Sequence, residues 1–244
     1  MADGTGGTED FENETQSYSA ENPLLDRRKR YLQIAFNENA SEVISILPRI
    51  PRNERIIIEA GTPYIKRNGA AGISLIRRMW PGLVLADLKT MDGAEEEVSF
   101  AAMAGADMAT VLGSAPAETL NRFVEACKRN GIMSVIDMIG VEDPLKTVMQ
   151  LRTEPSVIEL HIGRDEESTR GKMLQYRHIN RVLSKFNVFI SAAGGVDLKK
   201  AQSAAFNGAN IVVVNMVPAH DTIAGISSGE DIAEIAEKFL QTIA

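Results

Sequence analysis

Asp87, Lys89 and Asp92 stand close together in the segment Asp87-Leu88-Lys89-Thr90-Met91-Asp92, at the end of the apolar run Leu83–Asp87. Glu59 closes a second apolar run. Asp137 lies in a third, and His161 closes a fourth, followed by Gly163 and Arg164. An ionisable group inside an apolar strand is costly unless it is paired or used. Several such groups at the same end of different strands are hard to explain by packing. Glu59, Asp87, Asp92 and Asp137 concentrate negative charge of the kind that gathers a hard cation. Magnesium prefers oxygen ligands, often one or two carboxylates with water and substrate oxygens. Lys89 offsets repulsion among the acids. The alternative for this cluster is a buried ion-pair network that closes one end of the fold. Gly194-Gly195 suits an anion, because glycine lets backbone N–H groups approach a phosphate closely; its bland counterpart is a tight turn into the next helix. His178 in a helical segment and His220 in a late loop are expected to be exposed and unrelated to the chemistry.

The elements that must position these groups alternate regularly. Short apolar, β-branched runs cover Tyr31–Phe36, Arg55–Ala60, Leu83–Asp87, Met108–Leu112, Met133–Met138, Val157–His161, Val188–Ala192 and Ile211–Val214. They read as strands buried on both faces of a parallel sheet. Helical segments are expected at Ala40–Leu47, Ala70–Arg78, Gly93–Ala104, Ala117–Asn130, Pro144–Leu151, Lys172–Lys185, Lys199–Asn207 and Asp231–Ile243. Asp143 before Pro144 suits an N-cap, and Asn130-Gly131 and Asn207-Gly208 suit helix stops. Eight strand–helix units predict an α/β fold, a single-domain (β/α)₈ barrel over residues 27–244, with an open doubly wound sheet as the alternative. In such a barrel the active site lies at the C-terminal ends of the strands. Asn37, Glu59, Asp87, Asp137, His161, Gly194 and Asn215 all fall there.

Residues 1–26 carry seven of the 33 acidic residues and none of the 26 basic ones. They lack an apolar period and are expected to form a disordered acidic tail. The remaining body is neutral, which argues against nucleic-acid binding. Arg27-Arg28-Lys29-Arg30 is expected to be a solvated lead into the first strand. There is no apolar run long enough to span a membrane and no signal-peptide pattern. The lone cysteine, Cys127, is expected to be a small buried apolar residue. A reducing cytoplasm fits these features.

The segment Leu85-Ala86-Asp87-Leu88-Lys89-Thr90-Met91-Asp92-Gly93 resembles the Asp-x-Lys-x-x-Asp signature of the orotidine-phosphate-decarboxylase superfamily. Its wording is most similar to that of the 3-hexulose-6-phosphate synthases. The likeness extends through Glu59-Ala60-Gly61-Thr62-Pro63, Thr110-Val111-Leu112-Gly113, His161-Ile162-Gly163 and Ala193-Gly194-Gly195, covering about residues 31–215. The resemblance implies a homodimer with shared sites, magnesium held by Glu59 and Asp87, and Asp92 reaching into the partner's site. It makes Lys89, Asp87, Asp92 and His161 catalytic, and places Asn37, Asp137, Arg164, Gly194 and Gly195 against the substrate. The implied reaction is a magnesium-assisted aldol addition of formaldehyde to ribulose 5-phosphate, or its reverse, through an enediolate. Three departures stand out. Asn37 replaces the family's usual Asp, Asn215-Met216 replaces a glycine-containing phosphate contact, and Arg164 follows the His161 motif as in the 3-keto-L-gulonate-6-phosphate decarboxylases. Asp137 and Ala193 differ from those decarboxylases. A decarboxylase of this kind, or an inactive barrel with a binding role, are the alternative readings.

Overall fold

The computed structural model describes residues 24–170, 174–219 and 224–244. Eight parallel strands form the barrel: β1 (Tyr31–Phe36), β2 (Ile56–Ala60), β3 (Val84–Thr90), β4 (Met108–Leu112), β5 (Met133–Asp137), β6 (Val157–His161), β7 (Phe189–Ala193) and β8 (Ile211–Val217). Each pairs with the next, and β8 pairs back to β1 with Ala35 opposite Asn215, so the sheet closes. The helices are α1 (Ala40–Ile46), α2 (Thr62–Met79), α3 (Ala94–Met103), α4 (Ala117–Arg129), α5 (Pro144–Val148), α6 (Arg164–Arg170), α7 (Arg177–Leu183), α8 (Leu198–Phe206) and α9 (Ile232–Thr242). A short strand β9 (Ile226–Ser227) extends β8.

Side chains alternate faces along a strand, and that parity sorts the interior. One set of positions (Leu32, Ile34, Ile56, Ile58, Val84, Ala86, Val111, Ile136, Ile158, Ile190, Val212 and Val214) packs outward in the core shared with the helices. The other set points into the barrel. Its lowest layer is apolar: Tyr31, Ile57, Leu85, Met108, Met133, Val157, Phe189 and Ile211 form a second cluster at the N-terminal ends of the strands. Moving two residues along six of the eight strands exchanges apolar for polar, giving Gln33, Glu59, Asp87, Thr110, Glu159 and Ser191, all buried, while β5 and β8 keep Val135 and Val213 at that level. The barrel is therefore greasy at the bottom and charged towards the C-terminal mouth.

Several expectations need correction. The tail boundary lies earlier than residue 26. Leu25 is 1% exposed and belongs to the bottom cluster, while the Asp26 amide donates to Tyr31 Oη at 2.7 Å. The expected disorder of residues 1–23 lies outside the described residues. Arg27 is not merely solvated, since its guanidinium donates to the Val188 and Asn187 carbonyls and stacks over Phe189. Arg28 and Lys29 are paired with Asp26 and Glu54. Helix α2 begins at Thr62 rather than at Ala70, with Pro63 in its first turn and a kink at Gly69, whose φ is 57°. The helical segment expected over Lys172–Lys185 is α7, preceded by a separate α6; Lys172 and Met173 lie outside the described residues. Strand β8 continues through Asn215 and Met216 to Val217. His178 is buried on α7, with Nε2 3.3 Å from Gln175 Oε1; it sits in a turn that also buries Ile179 and Val182. His220 lies outside the described residues. Cys127 is buried, and burial pushes its thiol pKa up, as an inert core residue requires.

Candidate active site

Strand β3 carries the centre of the site. It ends irregularly, with a register shift against β4 between Ala86 and Thr90. Lys89 takes a φ of 48°, and it is the one non-glycine residue with positive φ among the described residues. Such a conformation costs on the order of 1–3 kcal/mol for a side-chain-bearing residue and persists where surroundings hold it. Here the Lys89 amide donates to Thr110 Oγ1 at 2.9 Å, and Thr110 donates its own proton to Asp87 Oδ1 at 2.8 Å. One buried hydroxyl on β4 thus fixes both the bulged backbone and the carboxylate. Thr62, the first residue of α2, lies 2.7 Å from Asp87 Oδ2 and donates to it.

Lys89 Nζ lies between two carboxylates, 3.2 Å from Asp87 Oδ2 and 2.5 Å from Asp137 Oδ2. Asp137 is fully buried at the end of β5. Its two oxygens also lie 3.0 Å from His161 Nδ1, and Oδ1 accepts from the Ile139 amide. Asp137 therefore touches both cations of the site. The chain Asp87–Lys89–Asp137–His161 crosses the barrel mouth from β3 to β6. Behind it, Glu159 Oε1 lies 3.5 Å from His161 Nδ1, and Glu159 Oε2 accepts from Ser191. Glu59 Oε2 accepts from Gln33 Nε2 at 2.6 Å.

The electrostatics follow from burial and pairing. Burial alone would raise Asp137, but His161 and Lys89 hold it at about 2. Burial alone would lower His161, but Asp137 first and Glu159 second carry it up to about 9, so it is a cation at neutral pH. Burial likewise opposes the charge on Lys89, and the neighbouring carboxylates reverse this and raise its pKa. Glu59 behaves differently. Desolvation, then the charges of Asp87 and Glu159, push it up to about 8. Glu159 reaches about 7 through burial and Asp137.

Four buried carboxylates thus share two cations. Asp137, Glu159 and His161 could offer ligand atoms within 4.8 Å of one another, but Lys89 and the imidazolium already balance Asp137. Glu59, beside Asp87 on the neighbouring strand, is the carboxylate whose ionised form these two cations support least, which is why its pKa stands at about 8. A hard divalent cation fits that pair by charge and by donor type.

The remaining expected site residues are spread around the mouth. Asn37 Nδ2 donates to Asn215 Oδ1 at 3.0 Å across the β1–β8 seam. Gly194 and Gly195 follow β7 with φ of 112° and 48°. Arg164 is exposed at the start of α6, lining a groove with Ile139, Gly140 and Gly163. Asp92 is exposed on the β3–α3 connection, in a hollow shared with Glu95, Glu96, Thr119 and Arg122 rather than in the ion-pair chain. Thr62 and Thr110 stand in the motifs that carry the family resemblance, without a role assigned there, and Gln33, Glu159 and Ser191 lie outside those motifs but line the same polar region. Strand parity was the signal available: Glu159 is two residues before His161, and Gln33 faces Glu59 on the inward row.

Fold and site together define a (β/α)₈ barrel with a carboxylate-rich, cation-bridged mouth. The chain belongs to the orotidine 5'-phosphate decarboxylase / HUMPS family, whose model matches residues 30–216. It is similar to the solved 3-hexulose-6-phosphate synthase from Salmonella typhimurium, at 30% identity and a TM-score of 0.76, covering 87% of this chain and 98% of that one. It is also 38% identical over 215 residues to the bifunctional enzyme Fae/Hps of Methanosarcina mazei, covering 87% of this chain and 52% of the relative. The chain thus spans about half the length of the curated relatives it matches. The KGPDC from Streptococcus mutans, at 18% identity and a TM-score of 0.71, shares the fold.

Proposed function

We propose that the chain is a 3-hexulose-6-phosphate synthase-like aldolase that joins formaldehyde to ribulose 5-phosphate, or cleaves the product. The chain Asp87–Lys89–Asp137–His161 carries this reading, and the likeness to a solved synthase over nearly its whole length supports it. Magnesium, held by Glu59 and Asp87, would act as a Lewis acid on substrate oxygens. The protein's own groups do the rest. In the forward direction the neutral fraction of His161 takes, at Nε2, the proton that leaves the sugar carbon bonding to formaldehyde, negative charge spreads over an enediolate, and the imidazolium so formed keeps that proton for the product alkoxide. Lys89, fixed by Asp87 and Asp137, presents a preplaced positive charge to that anion. As the carbon–carbon bond forms, the formaldehyde oxygen gains charge and needs a proton. His161 is protonated at neutral pH, and its Nδ1 is turned to Asp137. Donation to the new alkoxide therefore falls to Nε2. Asp137 positions both cations rather than meeting the substrate.

The same proposal includes a homodimer. Asp92 is exposed and apart from its own barrel's ion-pair chain, as a residue serving a neighbour would be. Met91, Phe100 and Met103 on the same connection and helix leave apolar surface exposed, with Met103 at 88%, which suits a self-complementary contact. The decisive assay incubates the protein with magnesium, ribulose 5-phosphate and formaldehyde and follows loss of formaldehyde. Turnover that EDTA abolishes and magnesium restores is expected. Silence here, with carbon dioxide released from 3-keto-L-gulonate 6-phosphate, would replace the aldolase by the decarboxylase. Silence on both would leave a binding role.

A further inference from the structure

The turn where the sequence leads one to expect a phosphate is covered by a carboxylate from the protein itself. A Cβ built on Gly195 would collide with both Oε1 and Oε2 of Glu167. The φ of 48° favours glycine there, and the two oxygens, at the far end of a flexible side chain, rest over its open face. Glu167 comes from α6, after β6. Lys200 comes from the first turn of α8, whose N-cap Asp197 accepts from the Lys200 amide. Lys200 Nζ donates to Glu167 Oε1 and to the Gly195 carbonyl, both at 2.7 Å. A cation and a glycine backbone therefore close around two acidic oxygens at the C-terminal end of β7. Strand β8 next door ends in Asn215, Met216 and Val217, which offer no cation.

We propose that Lys200 binds the phosphate group of the substrate, and that Glu167 is an internal latch that occupies the same place until a phosphate monoester displaces it. The idea rests on the reading of the substrate as a sugar phosphate. A phosphate monoester brings three acceptor oxygens and close to two negative charges, against two oxygens and one charge for the carboxylate. Lys200 is the same partner for both, so no new cation has to be recruited. Exposure limits the strength of the latch: the Glu167 and Lys200 side chains are 29% and 35% accessible. Ion pairs of that kind are weak. Glu167 thus lowers phosphate affinity by taxing the open state rather than by blocking it.

The test titrates the magnesium-loaded full chain with inorganic phosphate, read by calorimetry and by thermal shift, in the parent, Glu167→Ala, Lys200→Ala and Lys200→Arg proteins. Glu167→Ala should bind phosphate roughly two- to fivefold more tightly, the range that releasing an exposed pair allows. Lys200→Ala should bind it about tenfold more weakly, as loss of a charge-assisted contact predicts, and Lys200→Arg should recover most of that loss. The KM for ribulose 5-phosphate should move in the same directions, whereas the KM for formaldehyde should not. The proposal is overturned if Glu167→Ala binds phosphate no better than the parent, or if Lys200→Ala, still folded by its melting curve, binds it equally well. Phosphate affinities that shift as stated in a protein that turns over no ribulose 5-phosphate would uphold the latch and remove the aldolase. Turnover with unshifted affinities would do the reverse.

Discussion

Replacing Leu25 by alanine should destabilise the barrel although the residue lies six positions before the first strand. Leu25 is 1% exposed, and it contacts the apolar layer formed by the first inward residues of the strands. Leucine-to-alanine changes in cores cost about 2–5 kcal/mol, more where the site cannot collapse onto the void. The floor of a closed barrel is a rigid ring, which resists collapse, but a segment near the chain's start can re-pack by fraying. A cost of about 2–3 kcal/mol follows. For a domain of this size each kcal/mol moves the melting temperature by about 2–4 °C, so a drop of about 5–10 °C is expected. Thermal melts followed by circular dichroism would compare the full chain, a version lacking residues 1–23, Leu25→Ala, and a version lacking residues 1–26. The second should melt with the first, because residues 1–23 have no apolar period with which to dock. The last should melt at least as low as Leu25→Ala, since it also loses the Asp26–Tyr31 hydrogen bond. Turnover at 25 °C should survive in all four, because the plug sits at the opposite end from the catalytic mouth. A Leu25→Ala protein melting within about 2 °C of the parent would refute the plug.

Thr110→Val keeps the side chain's shape but strands the Lys89 amide and removes a donor to Asp87. At about 1–3 kcal/mol for an unmet buried group, kcat should fall by roughly ten- to a hundredfold with little loss of fold, and an unchanged kcat would show that the bulge holds itself. The His161 pKa is raised from 6.5 to about 9 in the folded state, so its stabilising share is fully present below pH 6.5 and is lost as pH rises through about 9. Glu159, raised to about 7, and Glu59, raised to about 8, act in the same direction from pH 4.5 upward, whereas Asp137, lowered to about 2, adds stability above pH 3.8 that is lost as pH falls through about 2. Melting temperature should therefore decline between pH 6.5 and 9 by an amount corresponding to at most about 3 kcal/mol for His161, and His161→Gln should flatten that decline; an unflattened curve would place the titration elsewhere. Asp92→Asn and Glu59→Gln proteins, each inactive alone, should recover at most about one quarter of parental activity when mixed under subunit exchange, because one site of each heterodimer receives both lesions and the other none. No recovery after proven exchange would return Asp92 to its own barrel.

The barrel was legible because strands buried on both faces read as apolar runs, and because Gly105, Gly131 and Gly208 mark the turns back into strands with φ of 94°, 68° and 100°. The site was legible only where charge interrupted such a run at its end. Glu159 lies between Ile158 and Leu160 and so passed as part of an apolar strand. Yet counting by two from His161 lands on it, and the same count links Asp87 to Leu85 and Asp137 to Val135, the charged layer to the apolar one beneath. Reading the runs by parity rather than by mean hydropathy would have exposed the second polar layer, with Gln33 and Ser191 in it. Helix α2 was cut short because Gly69 interrupts its pattern, although Pro63 is well placed in a first turn, where the missing N–H costs nothing. Other features depend on contacts that no local pattern carries. The positive φ of Lys89 is held by a hydroxyl 21 residues away. Asn37 and Asn215, two separate departures from the family pattern in the sequence, are hydrogen-bonded to each other across the strand pair that closes the barrel. They amount to one local change, a neutral amide pair at the seam. An aspartate at position 37 facing Asn215 could accept from its amide, but it would add a fifth acid to a mouth whose acids already push Glu59 up to about 8. The paired amides keep that charge out.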